Sequence, residues 1–441
     1  MGEQYERAVS MKELCRAARQ CKKGTSWKDG PLEYYLKRIG KCEQLREEII
    51  NDKYKMSPGA KVEIYRPKRR TANAPRIRDR AFQRSMCNNG VYEDLTRPLI
   101  YDNMACQKGK GTDLAIRRVI RMLQRLHREA PGAPIYVAHL DIRKYFPSTP
   151  HRLIKELDEE KITDKAFIKY LEEIVESTKD ERPAEEISQD PFGARGTGLG
   201  SQINQLHQVA LLDSLDHELK SFCRYYIRYN DDFLILDHDI EVVKRAKNTI
   251  NDRLTSMGLT MTDKSGIIDA RKNGFYFLRK KFIVTDTGKI VIRLHKKALA
   301  EERKTLRGLK RGVDQGARTM ADVKRHYQSW IANAEYAGDA PIREMDRFYT
   351  VTFRKKPEYK RKRRYLYGNR KKRKGKDQRS RKRKRSAEKG TRRGQSDDRV
   401  RSDDGGRGAG RGGMTCTARC TKKSRSSTRT RYGRSRGFAM L

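Results

Sequence analysis

Apolar residues recur three and four apart through the first part of the chain, as at Leu14, Ala17 and Ala18 and again at Leu32, Tyr35 and Leu36, with charges of both signs between them. That period gives each segment one apolar stripe and predicts a helical lead-in over residues 1–63. From about residue 64 to 353 continuous apolar runs join the helical spacing, and the core is expected there. Residues 135–142 (IYVAHLDI) read as a strand that ends at an acid, and Tyr145-Phe146-Pro147 turns the chain toward a helix starting near Pro150. Residues 224–236 (RYYIRYNDDFLIL) are two β-rich runs around Asn230-Asp231-Asp232, turn formers that suit a hairpin tip. A glycine-rich loop at 196–200 precedes one long helical pattern over 205–219, and a second over 242–257 closes at Gly258. Residues 295–353 return to helical spacing at Tyr327, Trp330 and Ile331. Beyond residue 354 the apolar positions run out, and a tail of Lys, Arg, Gly and Ser to residue 441 is expected to be disordered.

Charge sharpens this picture. The chain of 441 residues carries 102 Lys and Arg against 57 acids, a formal net charge of +45. A surplus that large repels itself unless it meets a polyanion, and nucleic acid is the obvious one. No apolar run approaches the roughly 20 residues of a spanning helix, and the N-terminus lacks a secretory apolar stretch. The expectation is a soluble, cytoplasmic protein without a membrane partner. The 8 cysteines have no disulfide-scaffold spacing, and the Cys416–Cys420 pair lacks the second ligand pair of a zinc site.

Three carboxylates stand out against this background. Asp141 ends a strand, and Asp231 and Asp232 sit side by side at a hairpin tip. Either feature alone is ordinary surface chemistry, a helix cap or a turn. Together they suit nucleotide transfer, in which two hard divalent ions about 4 Å apart stabilise an attacking and a leaving oxygen.

The segments LDIRKYFPS (140–148), GTGLGSQINQ (196–205) and YNDDF (229–233) occur in the order and separation found in reverse transcriptases. The chain resembles the retron and group II intron type of bacterial enzyme over about residues 64–353. The resemblance implies a right-hand polymerase of the α+β class: fingers and an antiparallel-sheet palm over 64–290, a helical thumb over 291–353, and a basic tail over 354–441. It implies RNA-directed DNA synthesis with Asp141, Asp231 and Asp232 holding two Mg²⁺ ions, or Mn²⁺. Phe146, five residues after Asp141, takes the place of the aromatic that excludes a 2′-hydroxyl. Gly200 and Gln205 fall in the glycine segment expected to approach the nascent base pair, where Asn204 replaces the usual Ser and Gly198 a frequent Pro.

In GLTMTDK (258–264), Lys264 takes the place of the proton donor to pyrophosphate. GFYFLRKK (274–281) resembles the primer-grip hairpin, with Arg279 where the family usually has Gly, and ACQKGKGT (105–112) a segment near the template. KRRTANAPRIRDRAFQ (68–83) resembles the fingers segment that clamps the triphosphate, which makes Arg69, Arg70, Arg78 and Arg80 candidates for phosphate binding. Partners implied are an RNA template, a DNA or RNA primer, dNTPs and a cognate structured RNA, with the tail adding salt-sensitive RNA affinity. The competing readings are a polymerase-derived RNA-binding protein, an enzyme making untemplated or protein-primed DNA, and an RNA-copying RNA polymerase. Retron synthesis, diversity generation, intron mobility and antiviral defence all share this core.

Overall fold

A computed structural model describes residues 2–23, 29–64, 70–178, 180–262 and 266–361. Arg69, Lys264, the tail from residue 362 and both of its cysteines lie outside the described residues.

The early helical spacing becomes α1 (Glu3–Val9), α2 (Met11–Lys22), α3 (Asp29–Leu36) and α4 (Arg38–Ile50). α2 starts where the Ser10 hydroxyl accepts the Glu13 N–H, satisfying one of the orphan donors of the first turn. Its buried side, Leu14, Ala17, Ala18 and Cys21, packs on α5 (Ile77–Met86). Tyr5, Leu14, Leu45, Phe82, Leu171 and Ile203 share one apolar cluster. The expectation that the core begins near residue 64 is therefore corrected. Small buried residues such as Ala8, Ala18 and Cys42 complete the N-terminal share of the core, and they register weakly in an apolar period.

β1 (Ala60–Ile64) pairs antiparallel with β2 (Arg70–Ala74), so the strand already begins ahead of residue 64. After α5 come a π turn at Cys87–Val91, α6 (Tyr92–Thr96) and the 18-residue α7 (Thr112–Glu129).

The central sheet is antiparallel, ordered β4-β5-β3-β6, from β3 (Tyr136–Asp141), β4 (Tyr225–Tyr229), β5 (Asp232–Asp237) and β6 (Ile267–Asp269). Side chains alternate across it. Ala138, Leu140, Tyr226, Phe233 and Ile235 bury one face against α13 (Asp213–Phe222) and α14 (Ile240–Ser256). The face bearing His139, Asp141 and Asp232 receives α7, which packs against β4 and β5. Between β3 and β4 run α8 (Tyr145–Ser148), α9 (His151–Lys161), α10 (Ile168–Glu176), α11 (Ala184–Gln189) and α12 (Gln202–Ala210). The single helix expected over 205–219 is thus two, α12 and α13, broken at residues 211–212. The apolar period runs through the break, but Ile203 and Leu206 bury into the N-terminal cluster while Leu212, Leu215 and Leu219 bury under the sheet.

After α15 (Ala270–Asn273), a second antiparallel sheet holds β7 (Phe275–Phe277), β8 (Lys280–Val284) and β9 (Ile290–Leu294). The chain finishes in α16 (Ala298–Asp314), α17 (Met320–Ala334) and α18 (Asp339–Phe353), closed on Leu306, Tyr327, Ile331, Met345 and Tyr349. Trp330 packs rather than projects, stacking on Tyr327 with centroids 5.8 Å apart. No helix among the described residues is long and apolar enough to cross a membrane.

Candidate active site

Backbone register builds the site. Asp141, last in β3, lies directly opposite Asp232, first in β5, and Tyr229 faces Asp232 from the other side. Asn230 and Asp231 are the two-residue tip between β4 and β5. Asn230 has φ +59°, the left-handed region that Asn tolerates better than most residues, which accounts for an amide at this place. Its Nδ2 donates to Asp231 Oδ1 at 3.3 Å, while its Oδ1 is buried and makes no hydrogen bond. His139, two residues before Asp141 on the same face, places Nε2 3.2 Å from Asp232 Oδ1 and its ring edge-on to Phe277 of β7 at 5.9 Å.

Beneath the tip lies a charge pair that the sequence pattern did not point to. Arg228 and Asp216 have fully buried side chains, 2.7 Å apart. Arg228 donates from Nε and Nη2 to the two Asp216 oxygens, from Nη2 to the Val209 carbonyl at 2.8 Å, and from Nη1 to the Asn230 carbonyl at 2.9 Å. Tyr226 and Asn103 donate to the same carboxylate. Burial by itself would drive the guanidinium toward its neutral form, but Asp216 outweighs it and keeps the charge. The carbonyl of the tip is thereby tied to α12, α13 and the sheet through one cation. The available signal was an Arg on the inward alternation of a strand otherwise made of buried Tyr and Ile.

The strand end is flanked by residues 258–262: the Thr262 N–H donates to the Asp141 carbonyl at 2.8 Å and the Arg143 N–H to the Thr260 carbonyl at 2.8 Å. Lys264 comes two residues later in the chain. Phe146 is half-buried on α8, where its carbonyl accepts the Thr197 N–H at 2.9 Å. The glycine segment is thus stitched to the turn that carries Phe146.

Gly200 answers to a different neighbour than expected. Its φ is +125°, and a Cβ there would lie 2.6 Å from the Asn73 carbonyl of β2, which also donates its N–H to the Leu199 carbonyl at 2.7 Å. The close approach this glycine permits is to the backbone of β2. Gln205 sits half-buried on α12, accepting from the Cys106 thiol at 3.8 Å, so it contacts the segment before α7.

The arginine candidates separate. Arg78 is committed internally: it pairs with Glu48 and Asp79, donates to the Lys55 carbonyl at 3.1 Å and lies over the Tyr54 ring. Two carboxylates therefore already compensate its charge. Arg80 lies on α5 with its carbonyl accepting from the Cys21 thiol of α2. Arg70 starts β2 opposite Ile64 of β1. In β7–β8 the tip is Leu278-Arg279, and the next residue, Lys280, is buried with Nζ 2.7 Å from Asn333 Oδ1 of α17.

The donor set is of the kind hard divalent ions prefer: three carboxylates and an orphaned amide oxygen within one hairpin and its neighbouring strand. Among the described residues, no three or more His, Cys, Asp or Glu side chains are drawn together as a ready-made cage. Like charges directly opposite each other on a sheet disfavour closer approach unless a cation sits between them.

No family model matches the chain, and no curated protein matches it. Among solved structures, it is similar to telomerase from Candida albicans in complex with the TWJ fragment of telomeric RNA, at 12% identity over 69% of this chain and 58% of that one, TM-score 0.43. It is also similar to apo telomerase from Candida tropicalis, at 12% identity over 68% and 60%, TM-score 0.41. A form of the Candida tropicalis protein truncated from its C-terminal domain gives 13% identity over 53% and 55%, TM-score 0.40. The chain spans less than two thirds of the length of these telomerase chains.

Proposed function

We propose that the chain is an RNA-directed DNA polymerase that extends a primer 3′-hydroxyl with deoxynucleotides. The observation that carries this reading is the register that sets Asp141 opposite Asp232, with Asp231 adjacent at the tip. In this reading the central sheet is the palm, the β1–β2 hairpin and N-terminal helices are the fingers, and α16–α18 are the thumb.

Asp141, Asp231 and Asp232 would hold the divalent ions. Mg²⁺, when bound, lowers the pKa of the primer hydroxyl and neutralises charge developing on the phosphates. The chain's own residues do the rest. Arg228 fixes the tip carbonyl, so the two carboxylates of the hairpin keep one orientation. His139 orients Asp232 from the side toward β7. Phe146, held by the glycine segment, walls the sugar position and rejects a 2′-hydroxyl. Lys264 donates the proton to the departing pyrophosphate. Arg69, Arg70 and Arg80 remain the candidates for triphosphate contact, and the basic tail for RNA tethering.

The test is primer extension on a poly(rA) template with Mg²⁺ and dTTP, comparing the protein with an Asp231→Ala, Asp232→Ala variant. Extension by the parent and its loss in the variant are expected. No extension on any RNA template, with RNA binding intact, would instead make the chain a polymerase-derived RNA-binding protein. Phe146→Ala is expected to admit ribonucleotides; unchanged selectivity would remove Phe146 from the sugar site.

A further inference from the structure

The longest helix packed on the carboxylate-bearing face of the sheet, α7, has an outer surface that the proposed chemistry does not use. Its inner side buries Ala115, Ile116, Val119, Ile120, Met122, Leu123 and Leu126. Its outer side carries Arg117, Arg121, Arg125 and Arg128, all exposed. Spacings of four, four and three residues put them in one row about 16 Å long. No acid occurs between Asp113 and Glu129. Among the described residues, none of the four side chains makes an ion pair or a hydrogen bond.

Several exposed cations elsewhere are paired, although Lys304, Arg307 and Arg311 of α16 are exposed without an ion pair among the described residues. Arg152 pairs with Glu156 at 3.2 Å, Lys244 with Glu241 at 2.7 Å, Arg253 with Glu218 at 2.8 Å and Lys324 with Glu358 at 2.8 Å. On those helices the charges compensate one another; on α7 they add. Four uncompensated like charges on one helix face oppose helix stability, since like-charged neighbours at this spacing are mildly unfavourable. An external polyanion reverses that sign.

The row also has a direction. At the start of α7 the Thr112 hydroxyl is 3.4 Å from the Tyr229 hydroxyl, next to the carboxylate tip. At its end the Leu126 carbonyl is 2.9 Å from His238 Nε2, just past the far end of β5. The row therefore runs alongside β5, leading away from the carboxylates. We propose that Arg117, Arg121, Arg125 and Arg128 form a docking track for the phosphate backbone of RNA, separate from the catalytic carboxylates. The proposal rests on the reading of the chain as one that handles nucleic acid. Guanidinium forks on a rigid helix suit phosphate oxygens, and a track of this kind adds affinity without reading sequence.

The test replaces all four with Gln, which retains good helix propensity, in the full chain. A control replaces Arg152, Lys244, Arg253 and Lys324 with Gln. Binding of a fluorescein-labelled RNA hairpin, and of an unstructured RNA of equal length, is measured against salt. The slope of log affinity against log salt is expected to shrink by about 3.6 on the hairpin in the track variant, each of four duplex phosphate contacts being worth about 0.9. The control should keep the parent slope, and the tail, common to all three proteins, cancels from the comparison. A loss confined to the hairpin assigns the track to duplex RNA, and a loss confined to the linear RNA assigns it to a single strand. A track variant with the parent slope on both RNAs overturns the proposal, as does poly-glutamate competing for the track as well as RNA, which would mark an acidic protein as its partner. The Asp231→Ala, Asp232→Ala variant is scored separately: its salt slope should remain that of the parent, so failure of the polymerase reading and failure of the track are told apart.

Discussion

The β4–β5 and β7–β8 hairpins both turn on two residues, and both place non-glycine residues at positive φ: Asn230 at +59° in the first, Leu278 at +48° and Arg279 at +63° in the second. Their supports differ. The first tip has a residue suited to the conformation and a buried cation bonded to its carbonyl. The second has neither. Positive φ at both central residues is what a type I′ turn demands, and Asn and Gly are the residues that meet it easily. Two polar contacts link the neighbourhood of this tip to the C-terminal helices. Lys280 is pinned to Asn333, and Arg279 lies 3.6 Å from Glu301, both partners mostly exposed. One tip is prepared from beneath by its own strand; the other has polar side-chain links to α16 and α17.

Removing the first support has the largest effect. Arg228→Ala leaves Asp216 buried without its partner, and a loss of about 3 to 5 kcal/mol is expected. Urea unfolding monitored by circular dichroism measures it. The double variant Arg228→Met, Asp216→Leu should recover much of that stability, because a buried pair replaced by apolar groups is often tolerated. It should not recover primer extension, since the Asn230 carbonyl still lacks its donor. A double variant that regains both stability and extension would reduce Arg228 to a packing residue.

The next effect tests the residue at the tip itself. Asn230→Gly should change stability by less than about 0.5 kcal/mol, whereas Asn230→Val should cost about 1 to 2 kcal/mol, the penalty of a β-branched residue in the left-handed region. The same unfolding assay reads both. Equal losses in the two variants would mean that the Asn230 side chain, rather than its backbone tolerance, is what the tip requires.

The same contrast explains what was legible in the sequence. The carboxylate strands and tip could be read because alternation, turn formers and motif order all agreed at 135–142 and 224–236. Arg228 and Asp216 escaped because a charged residue in a strand is ordinarily assigned to solvent, and nothing local shows that its partner lies on α13. The break between α12 and α13 escaped because apolar spacing continues through a change of core. The pairing of Arg78 with Glu48, thirty residues earlier in the chain, was likewise not legible. Gly200 was recognised as a site of close backbone approach, but its neighbour, Asn73 of β2, is fixed only by the tertiary fold. In each case the residue type was informative and the partner was non-local.

The smallest effect bears on the second hairpin and has the opposite sign. Arg279→Gly removes a side chain from φ +63°, relieving about 1 to 2 kcal/mol of left-handed strain. Against this stand the larger chain entropy that glycine gives the unfolded state, about 0.5 to 1 kcal/mol, and the exposed Arg279–Glu301 pair, worth at most a few tenths once solvent screens it. A net gain of about 0.5 kcal/mol is expected, seen as a small rise in the urea midpoint with unchanged slope. Glu301→Gln separates the contributions: it should leave the midpoint where it was. If Arg279→Gly lowers stability and Glu301→Gln lowers it equally, the ion pair holds the second tip, and the two hairpins differ in the location of their cation rather than in having one.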